Sequence, residues 1–393
     1  MKVLQVAPKL PWPIDDGSKL SIFIITDALL KNGVEVHLAV PEVSLSNVNG
    51  FVNVPIYPLP VNPKNKIGGA IANLFTSKPY NVSKYFSLAA LRLLVNVMRK
   101  ERFNAVHIDH LHMARYGIEL KKYFGTRIVL REHNFESEIM RRYIELTNNP
   151  LLSLYGRFQH RRLLNYEGWA ARQFDMVVPI SKEDDRKLRD ICPGIKSRVI
   201  PAGVNIHVAR YNIGFVPGKI LFFTNYDWAP NRDSLSFYLS EVFPKISRSV
   251  PGVETIIAGK GTEKIASSTI PDSLKVLGFV DDLRGLRKMS AIAVVPLRIG
   301  SGIRIKILQL MALGFAVVST HLGAEGIDLI NGKHAILCDD PADIASAIVR
   351  LLDSPEKCVE IGLEAQRLIE DKYSWEGVGQ QFYDLYRNLT VGK

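Results

Sequence analysis

Residues 300–306, Gly-Ser-Gly-Ile-Arg-Ile-Lys, place two glycines and two cations within seven positions. An apolar run, Ile292 to Pro296, precedes them, and Gly314 followed by a second apolar run, Ala316 to Ser319, comes after. The order predicts strand, glycine turn, helix, strand. Glycine lets a ligand approach the backbone closely, and the free N–H groups of a helix start favour an anion. The backbone of Ser301 and Gly302, with Arg304 and Lys306, is therefore a candidate seat for a diphosphate at the carboxyl end of a parallel sheet. Two residues apart on a helix means about 200° of rotation. Both cations reach one ligand only if the first turn is frayed, so one of them is expected to be a structural partner. Taken alone, the pattern also fits a plain βαβ unit whose turn needs glycine.

A second concentration of reactive side chains lies in the first half. His107, Asp109, His110 and His112 surround the end of an apolar run, and His133 ends another. A strand puts His107 and Asp109 on one face and His110 on the other, which argues against a shared metal ion. A histidine at a strand end of an α/β fold sits where ligands bind. The Asp281-Asp282 and Asp339-Asp340 pairs are adjacent residues that point apart, so no metal grip is expected.

These groups need a scaffold. Short apolar runs alternate with amphipathic stretches along the whole chain, the mark of doubly wound α/β architecture. Strands are expected at Val3 to Ala7, Val34 to Val40, Ala105 to Ile108, Arg127 to Arg131, Met176 to Ile180 and Arg198 to Pro201. Helices are expected at Lys19 to Lys31, Leu88 to Lys100, Met113 to Phe124 and Leu151 to Gln173, with Ser181 capping another through Arg189. A second series restarts with strand Lys219 to Thr224, a helix from Asp233 to Ile246, and strands Glu254 to Ala258 and Leu274 to Leu277. The 393 residues exceed one comfortable core and suit two such domains, 1–205 and 206–375, with 376–393 returning to the first.

With 47% hydrophobic and 23% charged residues, the composition is that of a folded protein, not a disordered one. No apolar run reaches the roughly 18–20 residues of a membrane span. The opening MKVLQVAPKLPWP reads as a first strand and not a signal peptide. Cys192, Cys338 and Cys358 lack paired or metal-ligand spacing, so a reducing cytoplasmic compartment is expected. The net charge of +11 is local: residues 64–172 hold 19 Lys+Arg against 8 Asp+Glu, and the rest is balanced. The asymmetry argues for an anionic partner of the first half, either a membrane surface at the inner face of the cell or an anionic acceptor, and it also fits a solvated cationic face without a partner. The basic stretch with Arg157, Arg161, Arg162 and Arg172 among Leu151, Leu154, Phe158 and Trp169 suits such a surface. Nucleic acid is disfavoured, because no recognition motif accompanies the charge.

The run from Gly300 resembles the signature of the retaining, family 4 type glycosyltransferases. It is closest to the bacterial branch with G-S-G-x-R-x-K-x-L-E-x-M-A, matched by Gly300, Ser301, Gly302, Arg304, Lys306, Leu308, Met311 and Ala312. REHN at 131–134, VVPIS at 177–181, VIPAGVN at 199–205, NYDWAPNRDS at 225–234 and LGFVDDLRGL at 277–286 extend the resemblance over nearly the whole chain. It implies a GT-B fold, two Rossmann-like doubly wound domains facing across a cleft. It also implies transfer of a sugar from a nucleotide-sugar to a saccharide or lipid-linked acceptor, in surface polysaccharide or glycolipid synthesis, with no cofactor or metal.

By that resemblance Gly17 and Ser18 form the first domain's loop on the donor or acceptor. Gly278, Phe279 and Val280 hold the base, and Asn225 and Asn231 contact phosphate or sugar. His133 lines the site near the transferred sugar. From their place at the end of an earlier strand, Asp109, His110 and His112 are candidate contacts to the acceptor. Two departures stand out. The loop near Asn225 lacks the usual arginine and lysine, which shifts weight to Arg304. The E-x7-E pair maps onto Ser301 and Gln309, so an uncharged amide would meet the ribose, with Glu325 as a further sugar or ribose contact. The rival readings are a non-catalytic nucleotide-sugar-binding relative, an epimerase of the same architecture, and a dinucleotide oxidoreductase. The last lacks a G-x-G-x-x-G after the first strand.

Overall fold

The computed structural model of the chain describes residues 1–14, 16–42, 54–147, 149–205, 217–265, 271–280, 282–300 and 302–390. They form two compact units, Met1–Ala202 with Glu376–Lys393, and Gly203–Trp375.

The first unit is built on strands β1 (Lys2–Val6), β2 (Glu35–Pro41), β3 (Ile56–Leu59), β4 (Ala105–Asp109), β5 (Arg127–Glu132) and β6 (Met176–Pro179). They pair in the order β3-β2-β1-β4-β5-β6, and every pairing is parallel. The second unit repeats the plan with β7 (Lys219–Phe223), β8 (Glu254–Ala258), β9 (Leu274–Gly278), β10 (Ile292–Val295), β11 (Ala316–Ser319) and β12 (Ile336–Leu337). Their order is β12-β11-β10-β7-β8-β9, again parallel throughout. Both sheets reverse direction beside their first strand, at β1/β4 and at β7/β10. Chains leaving those neighbours go to opposite faces and open a crevice at the carboxyl ends.

The strands are apolar because helices cover both faces. Val3, Leu4, Val6, Ile128, Val129 and Leu130 are fully buried in the first unit, as are Ile220, Leu221, Val294 and Val317 in the second. The last helix, Trp375–Thr390, packs Val378, Phe382, Leu385 and Tyr386 inward and so presents one face to the first unit's core. Gly379 on this helix abuts Ala28, so that position has no space for a side chain. No described helix is long and apolar enough to cross a membrane.

Ser181 caps the helix Lys182–Ile191, its Oγ accepting from the Asp184 N–H at 3.0 Å. Ser181→Ala is expected to cost about 1 kcal/mol, read as a lower denaturant midpoint with binding properties unchanged.

Three expectations are corrected. Residues 198–201 form no strand: besides an isolated bridge of Val177 with Ser197, the Arg198 and Ile200 N–H groups donate to the Val177 and Pro179 carbonyls of β6, without a regular ladder. The carbonyls of Ile200 and Pro201 instead accept from the buried Arg131 guanidinium. The helix expected from Asp233 begins at Ala229, with Pro230 in its first turn, and a π-type segment at Tyr238–Val242 interrupts it. The helix after the 300–302 turn starts at Ile305, so Arg304 lies before it rather than in its first turn.

Candidate active site

In the second unit the candidate residues gather where β10 and β7 end. Gly300 and Gly302 take φ of 135° and 75°, conformations that side chains other than glycine rarely adopt. They turn the chain from β10 into the helix Ile305–Ala312. Arg304 is the residue before that helix, with φ −85° and ψ 93°, and its own side chain makes no capping hydrogen bond. The Ile307 N–H donates to the Arg304 carbonyl at 2.8 Å, so an anion at this helix start would meet the N–H groups ahead of it.

The extended backbone at Arg304 resolves the 200° problem. Its side chain leaves from outside the helix and folds onto the turn, Nη1 donating to the Gly302 carbonyl at 2.9 Å. A Cβ on Gly300 would come within 2.9 Å of the Arg304 Cζ, so glycine there makes room for the guanidinium. Arg304 is 7% exposed. Lys306, inside the helix, donates from Nζ to Asn231 Oδ1 at 2.8 Å. The Asn231 amide is oriented because its Nδ2 donates to the Asn225 carbonyl at 2.7 Å. Asn225, Asn231 and Lys306 therefore form one chain across the β7/β10 junction. Burial, and then the charge of Arg304, push the Lys306 ammonium down to about 7. A low-dielectric seat with two cations this close favours an anion that would compensate both.

The surrounding loops are pinned. Arg298, after β10, pairs with Asp233 at 2.7 Å on the helix after β7. Ser319 at the end of β11 donates to the Val295 carbonyl at 2.9 Å. Glu325 lies on the loop after β11, partly buried, and Gln309 is three residues beyond Lys306 on the same helix, also partly buried. Gly278 ends β9 at the sheet edge, two strands from β7, and Phe279 and Val280 follow it; the Gly278 carbonyl accepts from Gly259, and Phe279 is exposed. Ser301 and Asp281 lie outside the described residues.

Gln309→Glu offers a direct check on the ribose role. If the side chain faces a ribose, a carboxylate accepts more strongly, and donor binding should be equal or tighter by up to about 1 kcal/mol. Clear weakening in titration calorimetry would show that residue 309 points elsewhere.

The first unit carries its own cluster at the ends of β1, β4 and β5. Asp109 is fully buried. Its Oδ1 lies 3.0 Å from His133 Nε2, and its Oδ2 accepts from Gln5 Nε2 at 2.7 Å. The His107 Nε2 is 3.2 Å from Oδ2. Burial alone would raise this carboxyl, yet the charges and hydrogen bonds of His107 and His133 hold it well below the usual range. It is therefore an anion, and His133 donates to it. Burial lowers the His133 imidazole to about 4 against that pull.

His110 stacks on His133, with ring centroids 3.8 Å apart and planes 18° from parallel, and its Nε2 meets Ser18 Oγ at 3.0 Å. Gly17 opens the helix Gly17–Lys31, and Asp16 caps it through the Lys19 N–H. Nearly parallel stacked rings do not aim their nitrogens at one point. So although Asp109, His110 and His133 stand close enough to suggest an ion site, the two imidazoles do not converge on it. His110 has φ 66°, an uncommon conformation for a non-glycine residue and one often found at functional sites.

Several members of this cluster escape sequence reasoning. Gln5, Thr26 and Tyr386 join it across 21 to 279 residues of chain separation. The only signals are a glutamine inside an otherwise apolar strand and a tyrosine on the apolar face of the final helix. Glu132 and Glu167 are also buried, and burial with mutual repulsion raises Glu132 well above the carboxylate range. Glu167 accepts from Glu136 N and the Ser137 hydroxyl, which fixes the start of the helix Glu136–Leu146.

Comparison with known proteins agrees with this architecture. The Glycosyltransferase Family 4 model matches residues 16–208, and the Glycosyl transferases group 1 model matches 217–354. A Klebsiella pneumoniae protein described as an uncharacterized 44.6 kDa protein in the cps region is 21% identical, over 95% of this chain and 96% of its own. Sucrose-phosphate synthase from Thermosynechococcus elongatus superposes with a TM-score of 0.78 at 15% identity, covering both chains completely. Anabaena HepE in complex with UDP-glucose superposes with a TM-score of 0.67 at 13% identity, over 99% of this chain and 100% of that one. With one family model on each unit and the doubly wound sheets repeated, the chain belongs to the family 4 type glycosyltransferases of the GT-B fold.

Proposed function

We propose that this enzyme transfers a sugar, with retention, from a nucleotide-sugar to a saccharide or lipid-linked acceptor in the synthesis of a surface polysaccharide or glycolipid. The observation that carries the reading is the pair Arg304 and Lys306 at the glycine turn where β10 meets β7. Cations and helix N–H groups at that point suit the charge that develops on a leaving diphosphate. They supply it without a metal, and Asp109, His110 and His133 in the first unit serve the acceptor and transferred sugar. Retention follows if the leaving phosphate oxygen takes the acceptor's proton, with no enzyme nucleophile. Thermal-shift screening of UDP-, GDP- and ADP-sugars identifies the donor, and release of free nucleotide diphosphate with an acceptor panel tests transfer. Binding without release across the panel favours a non-catalytic relative. Conversion of the donor without acceptor favours an epimerase.

The reaction belongs at the cytoplasmic face of a membrane. Between Glu42 and Glu101 the sequence holds no acidic residue, and none lies between Glu145 and Glu167. The two segments meet where Arg162 donates to the Asn73 and Leu74 carbonyls, each at 2.9 Å. There Ile67 and Phe75 are 84% and 90% exposed, and Leu151 and Leu154 are 76% and 69% exposed beside Arg157 and Arg161. Exposed apolar tips among cations suit an anionic leaflet. Vesicles containing phosphatidylglycerol should sediment the protein, and phosphatidylcholine vesicles should not. Leu151→Glu with Leu154→Glu should lower binding severalfold; unchanged binding would locate the contact elsewhere.

A further inference from the structure

Tyr386 is buried on the final helix, and its hydroxyl meets His107 Nδ1 on β4. His107 places its other nitrogen 3.2 Å from Asp109 Oδ2, and Asp109 Oδ1 meets His133 Nε2 at 3.0 Å. Gln5 clamps the same carboxylate from β1, and its own amide is oriented by the Thr26 hydroxyl at 2.7 Å. From the geometry we infer that Tyr386 is a positioning residue, which holds the orientation of His133 through His107 and Asp109. The inference rests on the transferase reading only for the role of His133.

Asp109 is held as an anion and can only accept, so His133 turns its Nε2–H toward it. His107 stands with Nε2 3.2 Å from the other carboxylate oxygen and with Nδ1 on the Tyr386 hydroxyl, so its ring is held between the two. Burial lowers the His133 imidazole to about 4, so its neutral ring carries the proton on Nε2 and the lone pair on Nδ1. A line of buried polar groups in an apolar core is costly where packing alone would suffice. Aliphatic side chains on the final helix would hold it to the sheet equally well, as Val378, Phe382 and Leu385 already do. The groups acting on His133 are Asp109 and His107 from β4, His110 stacked against it, and Arg131 from β5.

The test uses the full chain with 15N-labelled histidine. In the unliganded wild type, His133 should appear as the Nε2–H tautomer and titrate well below the ordinary histidine range. In Tyr386→Phe the His133 resonances should shift, and turnover should fall fivefold or more with donor KM within twofold. Tyr383→Phe, the same change on the same helix, is the control and should leave the His133 resonances in place. His133 in the Nδ1–H form in the wild type would overturn the inference, even if Tyr386→Phe failed to fold. So would His133 resonances unmoved in a folded Tyr386→Phe, or moved resonances with turnover unchanged. The spectra need no donor, so a failure of the relay is distinguishable from a failure of the transferase reading.

Discussion

Arg304→Ala is expected to lower turnover at least tenfold while leaving the fold intact. The guanidinium lies folded on the turn, held by the Gly302 carbonyl and accommodated by the missing side chain at Gly300. It needs no movement to meet an anion at the helix start, and such preorganised charge is worth most where water is excluded. Removing one group of this kind commonly costs on the order of 10²–10³ in rate. Here Lys306 and the helix N–H groups remain, so tenfold, about 1.4 kcal/mol of barrier, is the lower bound. The fold should survive because no strand or helix interior depends on the side chain. Gly300→Ala approaches the same point from the other side. Its methyl would displace the guanidinium while keeping the charge, so it should reproduce much of the loss. Steady-state rates with circular dichroism as the fold check decide the matter. Wild-type turnover in both variants would remove Arg304 from the reaction.

The glycine turn was legible because its function is written into consecutive residues. Its strands and helix could be placed from apolar runs and Gly314 alone. What the pattern could not show is that Arg304 stands outside the helix. A periodic reading places both cations on one spiral, whereas the extended backbone at Arg304 lets each reach the junction independently. The weak elements were missed for a related reason. β3 contains Pro58 and is an edge strand, and β12 is two residues long, so neither has enough length to display alternation. Residues 198–201 read as a strand because three of the four are apolar, and their N–H groups do reach β6. The Ile200 and Pro201 carbonyls are taken by Arg131 instead of by a further strand, and a buried arginine 69 residues earlier leaves no trace in the local pattern. The histidine cluster falls between these cases. Strand alternation put His107 and Asp109 on one side, but the ring of His110 came to rest on His133 through a backbone conformation that composition does not reveal.

Lys306 carries the clearest pH signature. Its ordinary value is 10.5, and in the folded chain burial and the charge of Arg304 lower it to about 7. Between those values the unfolded chain holds a proton that the folded chain lacks. Stability therefore rises with pH through that window, and the charged form is penalised below it. A bound diphosphate reverses the penalty, because its charge restores the ammonium. Binding of a nucleoside diphosphate above pH 7 should consequently take up close to one proton. Affinity should fall by up to about tenfold per pH unit, equivalent to ~1.4 kcal/mol, until the bound-state value is reached. Titration calorimetry at pH 8 in two buffers of different ionisation enthalpy measures the uptake directly. Lys306→Met should bind more weakly at pH 6.5 and should lose both the buffer dependence and the slope. The Asn231 contact predicts a milder variant. Asn231→Leu removes the hydrogen bond from Nζ and should lower the lysine further, moving the onset of the slope to a more acidic pH. A wild-type affinity that is flat from pH 7 to 9, with no proton taken up, would mean that Lys306 does not meet the diphosphate.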